Sequence, residues 1–225
     1  MPLHKVKEIL SYAESRMSFF TRIERYHSRF SREYLMIERA YDDMENAFVN
    51  VYRSSDDPYY THPRAVAIIL IDYLYIFERI DIIIPAYEIV VAVLLHDNPE
   101  DRPDIWPLDR IERDYSRNIA WLLDYLSKRP LIDFDGDRIA QLAFYHDRFH
   151  TAPIEFFLTK LPDRLHNQIT IWSCDEEKIL RKMIETRRYY LPWARRYGIL
   201  AQELEATICS EDQIKEHIKQ HCLVR

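Results

Sequence analysis

Glycine is nearly missing from this chain: of 225 residues only Gly136 and Gly198 are glycine, far below the average usage of about 7%. A Walker A loop needs two glycines close together, and a dinucleotide-binding fingerprint needs three within six positions, so both phosphate-binding loops are excluded. Two-residue hairpin turns lean on the same residue, which argues against a multi-stranded antiparallel barrel or sandwich. The expected fold class is all-α. Cysteine is also scarce. Cys174, Cys209 and Cys222 are an odd number without metal-ligand spacing, so a disulfide framework or zinc knuckle is not expected and the thiols read as reduced. Uncharged runs such as Ile89 to His96 fall far short of a bilayer span, and the N-terminus has no apolar signal core, so a soluble, cytoplasmic protein without a membrane partner is expected. Positive charge is not in excess: 31 Lys and Arg against 37 Asp and Glu give a net charge of −6, which disfavours binding nucleic acid by bulk electrostatics. An anionic ligand must meet a local basic pocket.

What is present is helical patterning. From Lys5 to Tyr52 apolar residues recur every three or four positions, enough for two or three helices. Arg53 to Pro58 concentrates turn formers, and Thr61 or His62 before Pro63 suits the start of a helix reaching about Glu78. Arg79 to Pro85 reads as a connection. Ala86 to Asp97 is nearly continuous apolar, the pattern of a helix buried on most sides. Leu108 to Leu126 reads as one amphipathic helix, Asp133 to Asp137 as a turn, and Arg138 to Phe149 as a helix. Ile154 to Trp172 reads as an apolar helix interrupted at Pro162. Lys178 to Tyr197 reads as one helix stopped by Gly198; polar helix or tail follows.

Buried helices normally avoid ionisable groups unless these are paired or hold a metal. Two of the most apolar helices here end in them, at Leu94 to Asp101 and at Leu158 to Asn167. His96 and Glu100 are four apart, as are Asp97 and Asp101, so a helical continuation would stack each pair on one face. With His62 before Pro63, the chain offers His62, His96, Asp97 and Asp163, a mixed nitrogen and oxygen set that suits Mn²⁺, Fe²⁺ or Zn²⁺ with open positions for water. Glu100 and Asp101 remain for proton handling or water orientation.

The segments Arg53-Ser-Ser-Asp-Asp-Pro-Tyr-Tyr-Thr-His62-Pro, Leu95-His96-Asp97-Asn-Pro-Glu100-Asp101 and Lys160-Leu-Pro-Asp163-Arg-Leu-His-Asn167 resemble the successive motifs of the HD-superfamily (p)ppGpp hydrolases of the RelA/SpoT type. Tyr190 to Ile199 resembles the helix that follows in that family, and the likeness covers roughly residues 40 to 199. The resemblance implies a single HD-domain helical bundle over 41–200, with a helical extension over 1–40 packed on it and a helix or tail over 201–225. It implies one Mn²⁺ on His62, His96, Asp97 and Asp163, with Glu100 and Asp101 activating water. It implies Arg53 stacked on a purine, and Asn167, Thr170 and Tyr190 lining the nucleotide site. The expected reaction is removal of the 3′-pyrophosphate of a guanosine alarmone, a small-molecule nucleotide, and the expected likeness is to the stand-alone small alarmone hydrolases.

Departures bear on the substrate. Ser54 follows Arg53 where the family commonly carries a base, and Arg102 follows Asp101, where it would return positive charge near the phosphates. Pro99 and Pro162 imply bends beside the metal. Two alternatives stay open: hydrolysis of another 3′-phosphorylated nucleotide, such as an adenosine analogue or NADPH, and a non-catalytic HD module that binds nucleotide or protein. The oligomeric state stays open too. Of the basic pairs, Lys128 and Arg196 are the expected pocket members. Arg164 reads as a structural ion-pair partner, His166 as structural or pocket-lining, His146 and His150 as substrate-flanking or solvent-facing, and Tyr59 among the packing tyrosines.

Overall fold

Short polar side chains open several of the helices. The structure, a computed structural model, describes residues 15–77 and 82–222. The first turns expected from Lys5, part of the Arg79 to Pro85 connection and the last residues of the tail lie outside them. Helix α1 spans Arg16–Ile23 and α2 Arg32–Ala47, capped by Ser15 and Ser31, whose hydroxyls accept from the backbone N–H three residues on. Such a cap satisfies an amide that the helix itself leaves unpaired. Helices α3 (Thr61–Phe77), α4 (Ala86–Leu95) and the single turn α5 (Asn98–Asp101) follow, then α6 (Leu108–Asp114) and α7 (Arg117–Leu126). Next come α8 (Arg138–Asp147), α9 (Ile154–Ile169) and α10 (Glu176–Glu185). A π-helical turn at Thr186–Tyr190 leads into α11 (Leu191–Tyr197), α12 (Ala201–Thr207) and α13 (Glu211–Cys222). The described residues form no strand beyond an isolated bridge between Tyr52 and Pro58, so the fold is all-α as expected.

Helix α4 is the axis of the molecule. It packs against α2, α3 and α7, and Ile89 through Leu95 are without exception at 0% exposure. That is why its sequence shows no polar face. Each such aliphatic side chain contributes about 1.5–3 kcal/mol by leaving water. Helix α9 packs on α3 and on α12, and a smaller core of Ile171, Ile179, Met183 and Ile214 joins α10 to α13. Helix α2 runs through the boundary expected between residues 40 and 41 and places Ile37, Ala40, Tyr41 and Met44 in the main core. Among the described residues, no helix is long and apolar enough to cross a membrane.

Three expectations about helix ends are corrected. The Leu108 to Leu126 segment is two helices, because Ser116 leaves helical geometry and its hydroxyl accepts from Ile119 N at 3.2 Å, starting α7 afresh. Pro162 does not interrupt α9, which runs unbroken from Ile154 to Ile169. Proline costs about 3 kcal/mol in a helix interior, but every residue from Glu155 to His166 is buried, and that packing outweighs one lost backbone hydrogen bond. Lys178 to Tyr197 is not one α-helix: α10 widens into the π-turn before α11, which Gly198 stops at φ 68°. Pro99 does act as a breaker. It sits in the first turn of α5, so the chain swings at His96 and Asp97 instead of continuing α4.

Candidate functional site

The break after α4, the first turn of α3 and the middle of α9 meet at one point. His62 Nε2 lies 3.2 Å from Asp163 Oδ1 and 3.8 Å from Asp97 Oδ2. His96 Nε2 lies 3.2 Å from Asp97 Oδ1 and 3.8 Å from Asp163 Oδ1. One ligand atom from each of His62, His96 and Asp163 falls within 4.8 Å of the others, all three residues being buried. Residues 62, 96, 97 and 163, up to 101 positions apart in sequence, are thus brought into one cluster.

The ring of His96 explains what the cluster is suited to hold. Its Nδ1 is 2.7 Å from Val93 O, an acceptor only, so Nδ1 carries a proton. In the neutral imidazole the lone pair is then on Nε2, which is fully buried, makes no hydrogen bond and faces two carboxylates. Acceptors facing acceptors need a cation between them, either a proton or a metal ion. Without a metal the proton fills that role: burial opposes the charge on His96, but Asp97 and Asp163 outweigh it and hold the pKa up at about 9. The donor set and spacing are those of a divalent-metal site.

Neighbouring side chains fix the cluster's geometry. His62 Nδ1 is 2.8 Å from Nδ1 of His166, and burial, then His62 and Arg53, push the His166 pKa far down. A neutral His166 can accept from His62 and leave its Nε2 free to ligate, the usual arrangement behind a metal-bound imidazole. Lys160 Nζ is 2.8 Å from Asp163 Oδ2, and Asn167 Nδ2 donates to Asp163 Oδ1 at 2.6 Å. Lys160, His62 and His96 overcome the burial of Asp163 and hold its carboxyl far below the usual range.

Tyr59 was expected to be packing, and its ring does stack on Phe48 at 4.4 Å. Its hydroxyl, however, stands 2.9 Å from Asp97 Oδ2 and 3.2 Å from Asp101 Oδ2. One proton serves a cluster carboxylate and the carboxylate expected to handle water. Burial, then repulsion from Asp97 and Glu100, raises the Asp101 pKa, which makes Asp101 a stronger base. Tyr59→Phe is therefore expected to lower divalent-metal affinity or turnover about 10–100-fold, the usual effect of losing an outer partner of a metal ligand. Calorimetric metal titration beside steady-state kinetics measures both.

The cluster opens into a cleft of about 380 Å³. Of the residues expected at the site, Arg53, Glu100, Lys128, Asn167, Thr170 and Tyr190 line it together with His62, Asp97 and Asp163. Arg53 Nη2 donates to Asn167 Oδ1 at 3.2 Å and Thr170 Oγ1 at 3.0 Å. Lys128 Nζ donates to Glu100 Oε1 at 2.8 Å and its backbone N–H to Oε2 at 3.2 Å. Arg102 is not brought to the cleft: α5 ends at Asp101, and the Arg102 guanidinium turns away to donate to Ala47 O at 2.7 Å. Arg196 is also elsewhere, over the rings of Trp193 and Tyr197. His146 is buried and stacked on Tyr189 at 3.8 Å.

One wall of the cleft is a buried charge network. Glu185 accepts from Arg164 Nη2 at 2.8 Å and Lys182 Nζ at 2.8 Å, with His146 Nε2 at 3.4 Å. Arg164 is the ion-pair partner expected, but of Glu185 across the helix pair rather than of the adjacent Asp163, and its guanidinium lies 3.8 Å above the Tyr190 ring.

An all-α fold that gathers two histidines and Asp97 at helix ends and Asp163 from the middle of α9, beside a cleft lined by Lys and Arg, defines a helical domain with a candidate metal site. No protein-family model matches the chain. Curated relatives do. The guanosine-3′,5′-bis(diphosphate) 3′-pyrophosphohydrolase of Haemophilus influenzae is 34% identical over 158 residues, 68% of this chain and 22% of that protein. The bifunctional (p)ppGpp synthase/hydrolase SpoT of Escherichia coli is 34% identical over 173 residues, 75% of this chain and 23% of that protein. A GTP pyrophosphokinase of Streptomyces coelicolor is 33% identical over 163 residues, 72% of this chain and 18% of that protein. The chain belongs to the RelA/SpoT-type HD hydrolase-domain family. It spans less than a quarter of the length of these relatives.

Proposed function

We propose that the chain hydrolyses guanosine tetra- and pentaphosphate, ppGpp and pppGpp, at the 3′ position, giving GDP or GTP plus pyrophosphate, with Mn²⁺ held by His62, His96, Asp97 and Asp163. The observation that carries this reading is the buried His96 Nε2 facing two carboxylates, a group of acceptors that needs a cation among them, beside a cleft rich in Lys and Arg. The activities named for the Haemophilus and Escherichia relatives support it. A bound divalent ion supplies water of lowered pKa and neutralises charge that develops on the phosphate oxygens. The side chains do the rest. Asp101, its basicity raised by burial, receives the proton of the attacking water while Glu100, fixed by Lys128, orients it. The bond between the 3′-oxygen and its phosphorus breaks, and the 3′-oxygen leaves as a hydroxyl after taking up a proton. Arg53, held by Asn167 and Thr170, presents its guanidinium face to the purine, and those two hydrogen bonds support that role.

Metal-loaded protein incubated with ppGpp is expected to release pyrophosphate and GDP in equal amounts. A protein that binds Mn²⁺ yet releases none would sink the reading and leave a binding module. A larger kcat/KM for an adenosine alarmone or NADPH in the same panel would move the activity to another 3′-phosphorylated nucleotide.

A further inference from the structure

The cations of the cleft are not equally engaged. Lys160 is given over to Asp163 and Lys128 to Glu100, so both support the groups around the cluster. Arg53 is tied to Asn167 and Thr170. On the α10 wall, Arg164 has a side-chain exposure of 7% and Lys182 one of 31%. Both share the single carboxylate of Glu185, leaving one positive charge in excess; both line the cleft, as does Lys178 on the same helix as Lys182, and of the pair Lys182 is the more exposed.

The backbone beneath Lys182 is pinned from the neighbouring helix. Its carbonyl accepts from Gln168 Nε2 at 3.0 Å and from Thr186 Oγ1 at 2.7 Å. A fixed backbone and a carboxylate anchor reduce the side-chain freedom lost on binding, which is how preorganised contacts gain affinity. An alarmone carries phosphate on both the 3′ and the 5′ side. If the His–Asp cluster meets the 3′ arm and Arg53 the base, the cationic surface left for the 5′ arm is the α10 wall.

We infer that Lys182, anchored by Glu185, forms a second anion subsite that receives the 5′-phosphate arm of the nucleotide. The identity of the nucleotide rests on the hydrolase reading above; the anion contact does not. Burial and the neighbouring Arg164, opposed by Glu185, lower the Lys182 pKa to about 8. A second anion beside the ammonium would therefore stabilise its charge further.

The test is calorimetric titration of metal-loaded protein with GDP and with guanosine. Lys182→Met is expected to weaken GDP about tenfold, the size of one charge-assisted contact, and to leave guanosine unchanged. Lys182→Arg, which keeps the charge, should hold GDP within about threefold of wild type. With ppGpp as substrate the loss should fall on KM far more than on kcat. Equal GDP affinity in Lys182→Met and wild type, an equal loss for guanosine, or no GDP binding by wild type would each overturn the subsite. A wild-type protein that binds GDP through Lys182 but releases no pyrophosphate from ppGpp would overturn the hydrolase reading and keep the subsite.

Discussion

Asp163→Asn is expected to lower kcat/KM for ppGpp by about 10³-fold or more, since metal-borne charge stabilisation is worth several kcal/mol in such reactions. The substitution keeps the volume of the side chain and removes its charge. Asp163 Oδ1 stands 3.2 Å from His62 Nε2 and 3.8 Å from His96 Nε2, so it is the oxygen both imidazoles share. Oδ2 carries the buried ammonium of Lys160 at 2.8 Å. Asparagine presents one neutral oxygen in place of a delocalised charge, so divalent-ion affinity should collapse with turnover. The variant also strands Lys160, whose proton the Asp163 carboxylate now holds far more tightly than is usual despite burial. Breaking a buried ion pair from one side costs about 3–5 kcal/mol, and a lower Tm should accompany the kinetic loss. Metal titration by calorimetry separates the two effects: a variant that stays folded but binds no Mn²⁺ supports the cluster as the metal site. Retention of activity within tenfold of wild type would remove Asp163 from it.

Asp163 was legible in the sequence, and the reason is general. A carboxylate in the middle of Phe-Phe-Leu-Thr-Lys-Leu-Pro-Asp-Arg-Leu is out of place unless something nearby balances it. The same logic exposed His96 and Asp97 at the end of α4, where burial of every face leaves no solvent side for a polar group. Groups whose role depends on a remote partner were not legible. Tyr59 looks like any amphipathic tyrosine until the fold brings Asp97, 38 residues away, to its hydroxyl. Glu185 lies in a charged stretch where nothing in the sequence singles it out, and only the meeting of α10 and α9 puts Arg164 against it. Arg102 misleads in the opposite sense: adjacency to Asp101 says nothing about direction once α5 stops and the backbone turns to φ −132°, ψ 50°. The fold itself was legible where burial is uniform, as in α4. It was not legible where two local preferences compete, as at Ser116, or where packing overrides one, as at Pro162.

Glu185→Leu is expected to be the most destabilising change in the cleft wall that leaves the His–Asp cluster complete. Glu185 is 9% exposed and satisfies Arg164 and Lys182 together, each at 2.8 Å. Leucine fills the space but leaves a buried guanidinium and a half-buried ammonium facing each other. Removing one partner of such a buried pair costs about 3–5 kcal/mol, which in a chain of this size moves Tm down by about 6–20 °C. The dependence on pH has a definite sign. His146, Arg164 and Lys182 overcome burial and hold the Glu185 carboxyl well below its ordinary 4.5. Its contribution is therefore complete at neutral pH and is lost only as pH falls below that value towards the depressed one. The gap in Tm between wild type and Glu185→Leu should accordingly narrow in acid. Metal affinity should stay near wild type, because no cluster residue hydrogen-bonds Glu185, whereas GDP affinity should fall with the loss of the Lys182 anchor. If the Tm gap were the same at pH 7 and in acid, the loss would come from packing around leucine and not from the carboxylate that now holds two cations at the edge of the cleft.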